Sequence, residues 1–306
     1  MRRTDRTLND YKIQHNEGVG FFTRPSRLGI LLEPLQAIFL GIIQGLTEFL
    51  PVSSSGHLVL CQNLLGFKEP ELLFDICLHI GTLTAICIVF FQEIKTIFMT
   101  LIHLPGLAKA AGGYKSLYER NEQVRMTALI AMSTLPTALL GILFHKVADQ
   151  IFGAVWIVGI MLVFTGLLLW VTRYLGPTGR PIGRVTAKDA VVIGITQGLA
   201  ILPGISRSGS TISVALFMGV DREVAGRYSF LLSIPAILGA LILGFDSSIG
   251  RTSISATVIL MGTISAATIG YISLKILLRI VKRGKLYYFA PYCWLLGLAA
   301  LLWNFL

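Results

Sequence analysis

The sequence predicts an all-α polytopic membrane protein with an inverted-topology internal repeat. It should hold six full transmembrane helices plus two re-entrant helix pairs, about ten helices in all. Three observations carry this. Apolar residues make up 54% of the 306-residue chain and charged residues only 14%, with a mean hydropathy of +0.73; a soluble domain carries about 25% charge. Apolar runs of the length that crosses a bilayer recur along the chain. Finally, one phrase is written twice, half a chain length apart. Gln44-Gly-Leu leads into Leu50-Pro51-Val52-Ser53-Ser54-Ser55-Gly56-His57, and Gln197-Gly-Leu leads into Leu202-Pro203-Gly204-Ile205-Ser206-Arg207-Ser208-Gly209.

Taken in order, residues 1–33 are polar and basic, with Arg2, Arg3, Arg6, Lys12, Arg24 and Arg27. No signal-peptide core with a small-residue cleavage site follows them, so they read as a flexible tail or an over-long start to the gene. Residues 34–306 read as a single membrane domain of two repeats, about 34–174 and 187–306. Six segments are long enough to cross: roughly 73–92, 126–144, 153–172, 228–245, 253–274 and 286–306. The repeated stretches, about 34–66 and 187–220, are each apolar for some fourteen residues before they turn to Pro, Gly and Ser. At ~1.5 Å per residue such a run reaches only about 21 Å into a core roughly 30 Å thick. Each therefore reads as a helix pair that enters, turns inside and leaves on the same side, with its irregular backbone buried in protein or lining a wet cavity. Three crossings separate the two pairs. Three is odd, so the second pair enters from the opposite face.

Charge orients this arrangement. Sixteen of the 26 Lys and Arg fall in the segments read as loops, 95–125, 173–188, 222–227 and 275–285, which are expected to share one face. Excess Lys and Arg marks the cytoplasmic side, so both termini and the first pair's mouth are expected outward. The net charge of +10 is thus explained by topology, and no nucleic-acid partner is expected. Cys61, Cys77, Cys87 and Cys293 lie in or beside apolar stretches without metal-ligand spacing and read as small hydrophobes.

Arg207 is the most telling residue, because a cation in the second break is costly without a partner. Ser206, Ser208, Ser210 and Thr211 surround it, Gly204 and Gly209 allow close backbone approach, and a helix starting near Ser208 aims its free N–H groups at the same place. Guanidinium, hydroxyls and helix N-terminus suit an oxyanion, phosphate above all; the bland alternative is helix packing with an Arg207–Glu48 ion pair. Glu48 in the first repeat fits a general base, a proton carrier or a metal ligand, and Gln44 lies on the same helical face. Ser53, Ser54, Ser55 and His57 offer a serine nucleophile with a neighbouring base, although serines after a turn are also ordinary helix caps. Asp75 and His79 form an i, i+4 pair that supports the site or merely bonds locally. Asp221, Arg222, Glu223 and Arg227 read as a loop, and Lys282, Arg283 and Lys285 as a cytoplasmic anchor.

Gln44-Gly-Leu-Thr-Glu48-Phe-Leu-Pro-Val-Ser-Ser-Ser-Gly-His57 and Pro203-Gly-Ile-Ser-Arg-Ser-Gly-Ser-Thr211 closely resemble the bacitracin-resistance family of undecaprenyl-diphosphate phosphatases. The likeness runs from about residue 34 to the C-terminus and includes Phe74-Asp75 and Ser229-Phe-Leu-Leu-Ser-Ile-Pro235. It implies removal of the terminal phosphate of undecaprenyl diphosphate, which regenerates the carrier for peptidoglycan and other envelope polymers. Gln44 and Glu48 take the places of the E/Q-x-x-x-E motif. Arg207, Ser206 and Thr211 match the phosphate-binding motif, and Ser54 and His57 match positions proposed to take part in catalysis. The expected catalytic set is therefore Glu48, Ser54, His57 and Arg207. The phosphate-binding set is Gln44, Ser53, Ser55, Gly204, Ser206, Arg207, Ser208 and Thr211.

The resemblance also implies help from a divalent cation, magnesium or calcium, with Glu48 as the candidate ligand. The expected partners are a polyprenyl diphosphate lipid, the bilayer and, in a homodimer, a second copy of the chain. The expected location is the bacterial inner membrane, with the site open to the periplasmic side. Inverted repeats with broken helices also suit a lipid-phosphate flippase or anion transporter, the main alternative. The type-2 phosphatidic acid phosphatase class is a remote one, because its Lys-x6-Arg-Pro element and distal histidine are absent.

Overall fold

Proline and glycine punctuate the two repeated stretches, and the helices break where they stand. The computed structural model describes residues 33–65, 72–145, 155–177, 179–248 and 254–303. The first repeated stretch forms α1 (Pro34–Phe49) and α2 (Ser54–Leu64). There follow α3 (Leu72–Val89), α4 (Phe91–Ala110), the short α5 (Tyr114–Arg120), α6 (Glu122–His145) and α7 (Val155–Val171). The second stretch forms α8 (Ala187–Leu199) and α9 (Arg207–Phe217), and α10 (Arg222–Ser248), α11 (Ala256–Lys282) and α12 (Ala290–Trp303) complete the chain. Among the described residues there is no strand, only an isolated bridge between Arg180 and Val220.

Among the described residues, five helical segments are long and apolar enough to cross a membrane: Glu122–Phe144, Val155–Tyr174, Arg222–Ile242, Ala256–Lys282 and Leu286–Trp303. A sixth arises if α3 and α4 are one broken span, bent by 83°. The chain is a multi-pass membrane protein. By contrast, α1, α2, α8 and α9 have 16, 11, 13 and 11 residues, and even the longest reaches only about 24 Å.

Three boundaries differ from the sequence reading. Residues 95–125, read as a loop, are mostly helical: α3 stops at Val89, and α4 and α5 carry the chain onward. Phe91, Phe98 and Ile102 stay exposed along one side of α4, at a helical spacing that a count of charges passes over. Arg222, Glu223 and Arg227 lie within α10, because the Asp221 carboxylate accepts the N–H groups of Glu223 (2.9 Å) and Val224 (3.2 Å) and starts the helix early. Lys282 belongs to the last turn of α11, which ends before Gly284 at φ +66°. Apart from Glu33, whose N–H donates to the Gln36 side chain at 3.0 Å, the basic tail lies outside the described residues.

Small residues set the packing. Helix α1 lies along α11, with Gly41 against Gly262 and Gly45 against Ala266 and Gly270. Helix α8 lies along α6 in the same manner, with Gly194 against Ser133 and Pro136. Ser133 and Thr137 donate to the carbonyls of Ala190 (2.6 Å) and Gly194 (2.8 Å). α3 also packs on α11, as α10 does on α6, while α7 pairs with α12 through Gly159 and Gly297. In lipid, where hydrophobic burial does not drive helices together, such close backbone approach and interhelical hydrogen bonds hold a bundle. A Cβ at Gly45 would lie 2.8 Å from both the Ala266 oxygen and the Gly270 nitrogen, neither of which can yield alone. Gly45→Ala is therefore expected to cost about 1–3 kcal/mol, read as a lower thermal midpoint of the detergent-solubilised protein.

Candidate active site

The two breaks touch. Leu50 precedes Pro51 and so turns extended, at φ −59° and ψ 140°, which ends α1. Ser53 then takes φ +69°, the sole non-glycine residue with positive φ among those described. Its Oγ accepts the N–H of Gly56 at 3.3 Å, capping α2, and that of Gly204 in the other break at 3.0 Å. Gly204, at φ +97°, packs so closely on Val158 and Met161 of α7 that a side chain there would collide. In return Ser208 donates its hydroxyl to the Phe49 carbonyl at the end of α1, at 2.9 Å. Beneath the junction Phe49 and Phe230 meet edge to face, their centroids 5.8 Å apart.

Glu48 is the centre of what this junction holds. Its side chain is 5% exposed, and both carboxylate oxygens are engaged. Oε1 accepts from Arg207 Nη2 at 2.5 Å, while Oε2 accepts from Ser54 Oγ at 2.5 Å and Gln44 Nε2 at 3.1 Å. An isolated carboxylate or guanidinium is costly inside a membrane, and pairing them relieves both. Glu48 is the only partner of the Arg207 guanidinium among the described residues, so the rest of its planar fork is left to donate to an anion. Helix α9 begins at Arg207 itself, which puts the positive end of its dipole at the same spot. Gln44 Oε1 is buried without a partner among the described residues.

The expected residues do not all converge. Glu48, Ser54, Arg207 and Gln44 converge. Ser206, Ser208 and Thr211 are buried and engaged with protein. Ser206 Oγ caps α9 by accepting the Gly209 N–H at 3.1 Å, and Thr211 bonds the Arg207 carbonyl at 2.8 Å and the Ser229 hydroxyl. Ser55, partly exposed, lies 3.4 Å from Ser53 Oγ. His57 turns away from the carboxylate. Its Nδ1 donates to the Ser53 carbonyl at 2.7 Å, its Nε2 meets the Tyr292 hydroxyl at 2.7 Å, and the two rings stack 5.7 Å apart. It thereby braces the strained turn that presents Ser54.

Glu48, the expected ligand of a divalent cation, is already engaged by protein groups. Hydrogen-bond donors occupy both oxygens and a guanidinium charge already stands against one of them. Among the described residues no group of three His, Cys, Asp or Glu could hold a metal ion.

Comparison with known proteins decides the family. The model of the bacitracin resistance protein BacA matches residues 37–299. The chain belongs to the BacA family. An undecaprenyl-diphosphatase of Desulfatibacillum aliphaticivorans is 51% identical over 272 residues, covering 89% of this chain and 99% of that protein. Others from Desulforapulum autotrophicum (46% over 274 residues, 90% and 99%) and Desulfosudis oleivorans (47% over 268 residues, 87% and 97%) are similarly close.

The BacA match spans both breaks and every site residue named above. Two contributors escaped the sequence reading. Thr165, in the middle of α7, donates to the Gly204 carbonyl at 2.9 Å and accepts the Ser206 N–H at 3.1 Å; a lone threonine in an otherwise apolar span is the signal that could have found it. Tyr292 stands among Tyr287, Tyr288 and Trp294 and so reads as one more interfacial aromatic.

Proposed function

We infer that the chain hydrolyses undecaprenyl diphosphate to undecaprenyl phosphate and phosphate. This recycles the lipid carrier for peptidoglycan and other envelope polymers, and it confers bacitracin resistance. The observation that carries the reading is the Glu48–Arg207 contact where the two breaks meet, in a chain whose relatives bear the name undecaprenyl-diphosphatase.

In this reading α1–α2 and α8–α9 are re-entrant pairs of an inverted repeat with six spans. Their short lengths support it, as does the exchanged packing of α1 on α11 and α8 on α6. The lipid's diphosphate enters between the tips while its tail stays in hydrocarbon. Arg207 and the start of α9 bind the phosphates and hold the charge that develops on the leaving monophosphate. Ser54 Oγ attacks the terminal phosphorus, and its proton passes to Glu48 Oε2, to which it is already hydrogen-bonded. A phosphoseryl ester forms as the bond to undecaprenyl phosphate breaks. Water then attacks the phosphorus, the Oγ–P bond breaks and phosphate leaves, and a proton of that water returns through Glu48 to Ser54 Oγ. A divalent cation would supply charge neutralisation on the bound diphosphate.

The site opens to the periplasmic side of the inner membrane, with both termini outward. The sixteen Lys and Arg gathered on the other face support this. The test is phosphate release from undecaprenyl diphosphate by the purified protein in detergent. Hydrolysis proceeds without a sealed membrane and transport does not, so release at a catalytic rate is the expected result. A protein that releases none would overturn the assignment.

A further inference from the structure

Glu48 lies deep, so a proton it takes from Ser54 needs a way out. Arg207, Ser54 and Gln44 surround it on three sides, and none of them can carry a proton onward to water under these conditions. The fourth neighbour can. His79 Nε2, from the middle of α3, stands 3.9 Å from Glu48 Oε2, and the His79 side chain is 32% exposed where Glu48 is 5% exposed. His79 Nδ1 donates to the Asp75 carbonyl at 2.8 Å, which fixes the ring and leaves Nε2 as the nitrogen with a free lone pair. Helix α2 adds a brace: Gln62 Nε2 donates to the Asp75 carboxylate at 2.9 Å. His57, by comparison, has both nitrogens occupied by Ser53 and Tyr292.

We propose that His79 is the positioning and proton-exchange residue of this site, the group through which buried Glu48 passes the Ser54 proton to solvent. The step rests on the Ser54–Glu48 reading above and balances as follows. The Oγ–P bond forms, the P–O bond to undecaprenyl phosphate breaks, and the Ser54 proton moves to Glu48 Oε2. From there it moves to His79 Nε2 and is lost to water at the exposed edge of the ring. The separation of 3.9 Å is longer than a hydrogen bond, so the transfer requires the two groups to close on each other in the substrate complex, as catalytic contacts often do. Among the described residues the charged groups at His79 are Glu48 of α1, which pairs with Arg207 of α9, and Asp75 on its own helix. From α11, packed along α3, come Gly262, Ala266 and Gly270, which carry no charge.

The test compares His79→Ala, His79→Gln, Ser54→Ala and Glu48→Gln as full-length proteins in detergent, with kcat and KM for undecaprenyl diphosphate followed across pH. Both His79 variants should lower kcat about 10-fold or more with KM within about two-fold, and alter the dependence of kcat on pH. Added imidazole should restore kcat in His79→Ala alone, because the vacated position is open to solvent. Gln keeps a side chain able to hydrogen-bond Glu48 but carries no proton. A His79→Gln protein with the parental kcat and pH profile would therefore overturn the proposal, as would a loss in His79→Ala that is equal at every pH and untouched by imidazole. Thermal midpoints report folding separately. Parental rates from Ser54→Ala and Glu48→Gln would instead overturn the reading beneath it.

Discussion

Arg207→Ala is expected to lower kcat for phosphate release by about 10³-fold or more, the loss seen when a charge-stabilising arginine leaves a phosphoryl-transfer site. The structure adds a second effect. Glu48 contacts Arg207 at 2.5 Å with only 5% of its side chain exposed, so removing the guanidinium leaves a buried carboxylate without its counter-charge. Breaking such a pair costs about 3–5 kcal/mol, and the thermal midpoint should fall along with the rate. The two effects separate in a double variant. Glu48→Gln combined with Arg207→Ala removes the orphaned charge, so the midpoint should recover while activity stays lost. Arg207→Lys should keep the charge and most of the stability but lose the planar fork, and with it much of kcat. A single Arg207→Ala protein that still releases phosphate at near-parental rates would remove Arg207 from the mechanism.

Ser54→Ala should show the opposite balance: activity lost by about 10³-fold or more with the fold barely disturbed. Ser54 is partly exposed, and among the described residues its hydroxyl has one partner, Glu48 Oε2. Ser53 is the informative neighbour. Its Oγ holds the N–H groups of Gly56 and Gly204 and so ties one break to the other. Ser53→Ala should lower the thermal midpoint, by the roughly 1–3 kcal/mol that follows from leaving buried N–H donors unpaired. Adjacent serines with opposite signatures, one in rate and one in stability, are what a nucleophile beside a structural cap predicts. If Ser54→Ala stays within about ten-fold of the parental rate, water attacks the phosphorus directly with Glu48 as its base.

How much of the site was legible depended on how a residue's chemistry conflicts with its surroundings. Glu48 and Arg207 were found because an ionised group in an apolar run is costly enough to need a reason. The hydroxyls were not separable in the same way. Ser53, Ser54, Ser206, Ser208 and Thr211 are all small and polar and all close to a turn. Which one faces the carboxylate and which ones cap helices or clamp the partner break follows from the turn's dihedrals, above all the positive φ of Ser53. His57 stands near Ser54 in sequence, yet its ring lies against Tyr292, 235 residues further on. His79 is 31 residues after Glu48, and its ring lies beside it. Helix α4 was missed because its apolar side alternates with Glu93, Lys95 and Lys109, which a hydropathy window averages away.

Composition and the doubled motif were enough to point to a helical membrane protein, two broken stretches and the two charged residues that pair where the breaks meet. Those properties are local, since transfer of a side chain or a peptide group into lipid has nearly the same cost wherever it stands in the chain. Assigning each hydroxyl to a cap, a clamp or the carboxylate, and each histidine to a brace or a proton path, took the folded molecule. Such roles depend on distances of a few ångströms between groups far apart in sequence, set by how closely the glycine-lined helices approach and where the two breaks come to rest against each other.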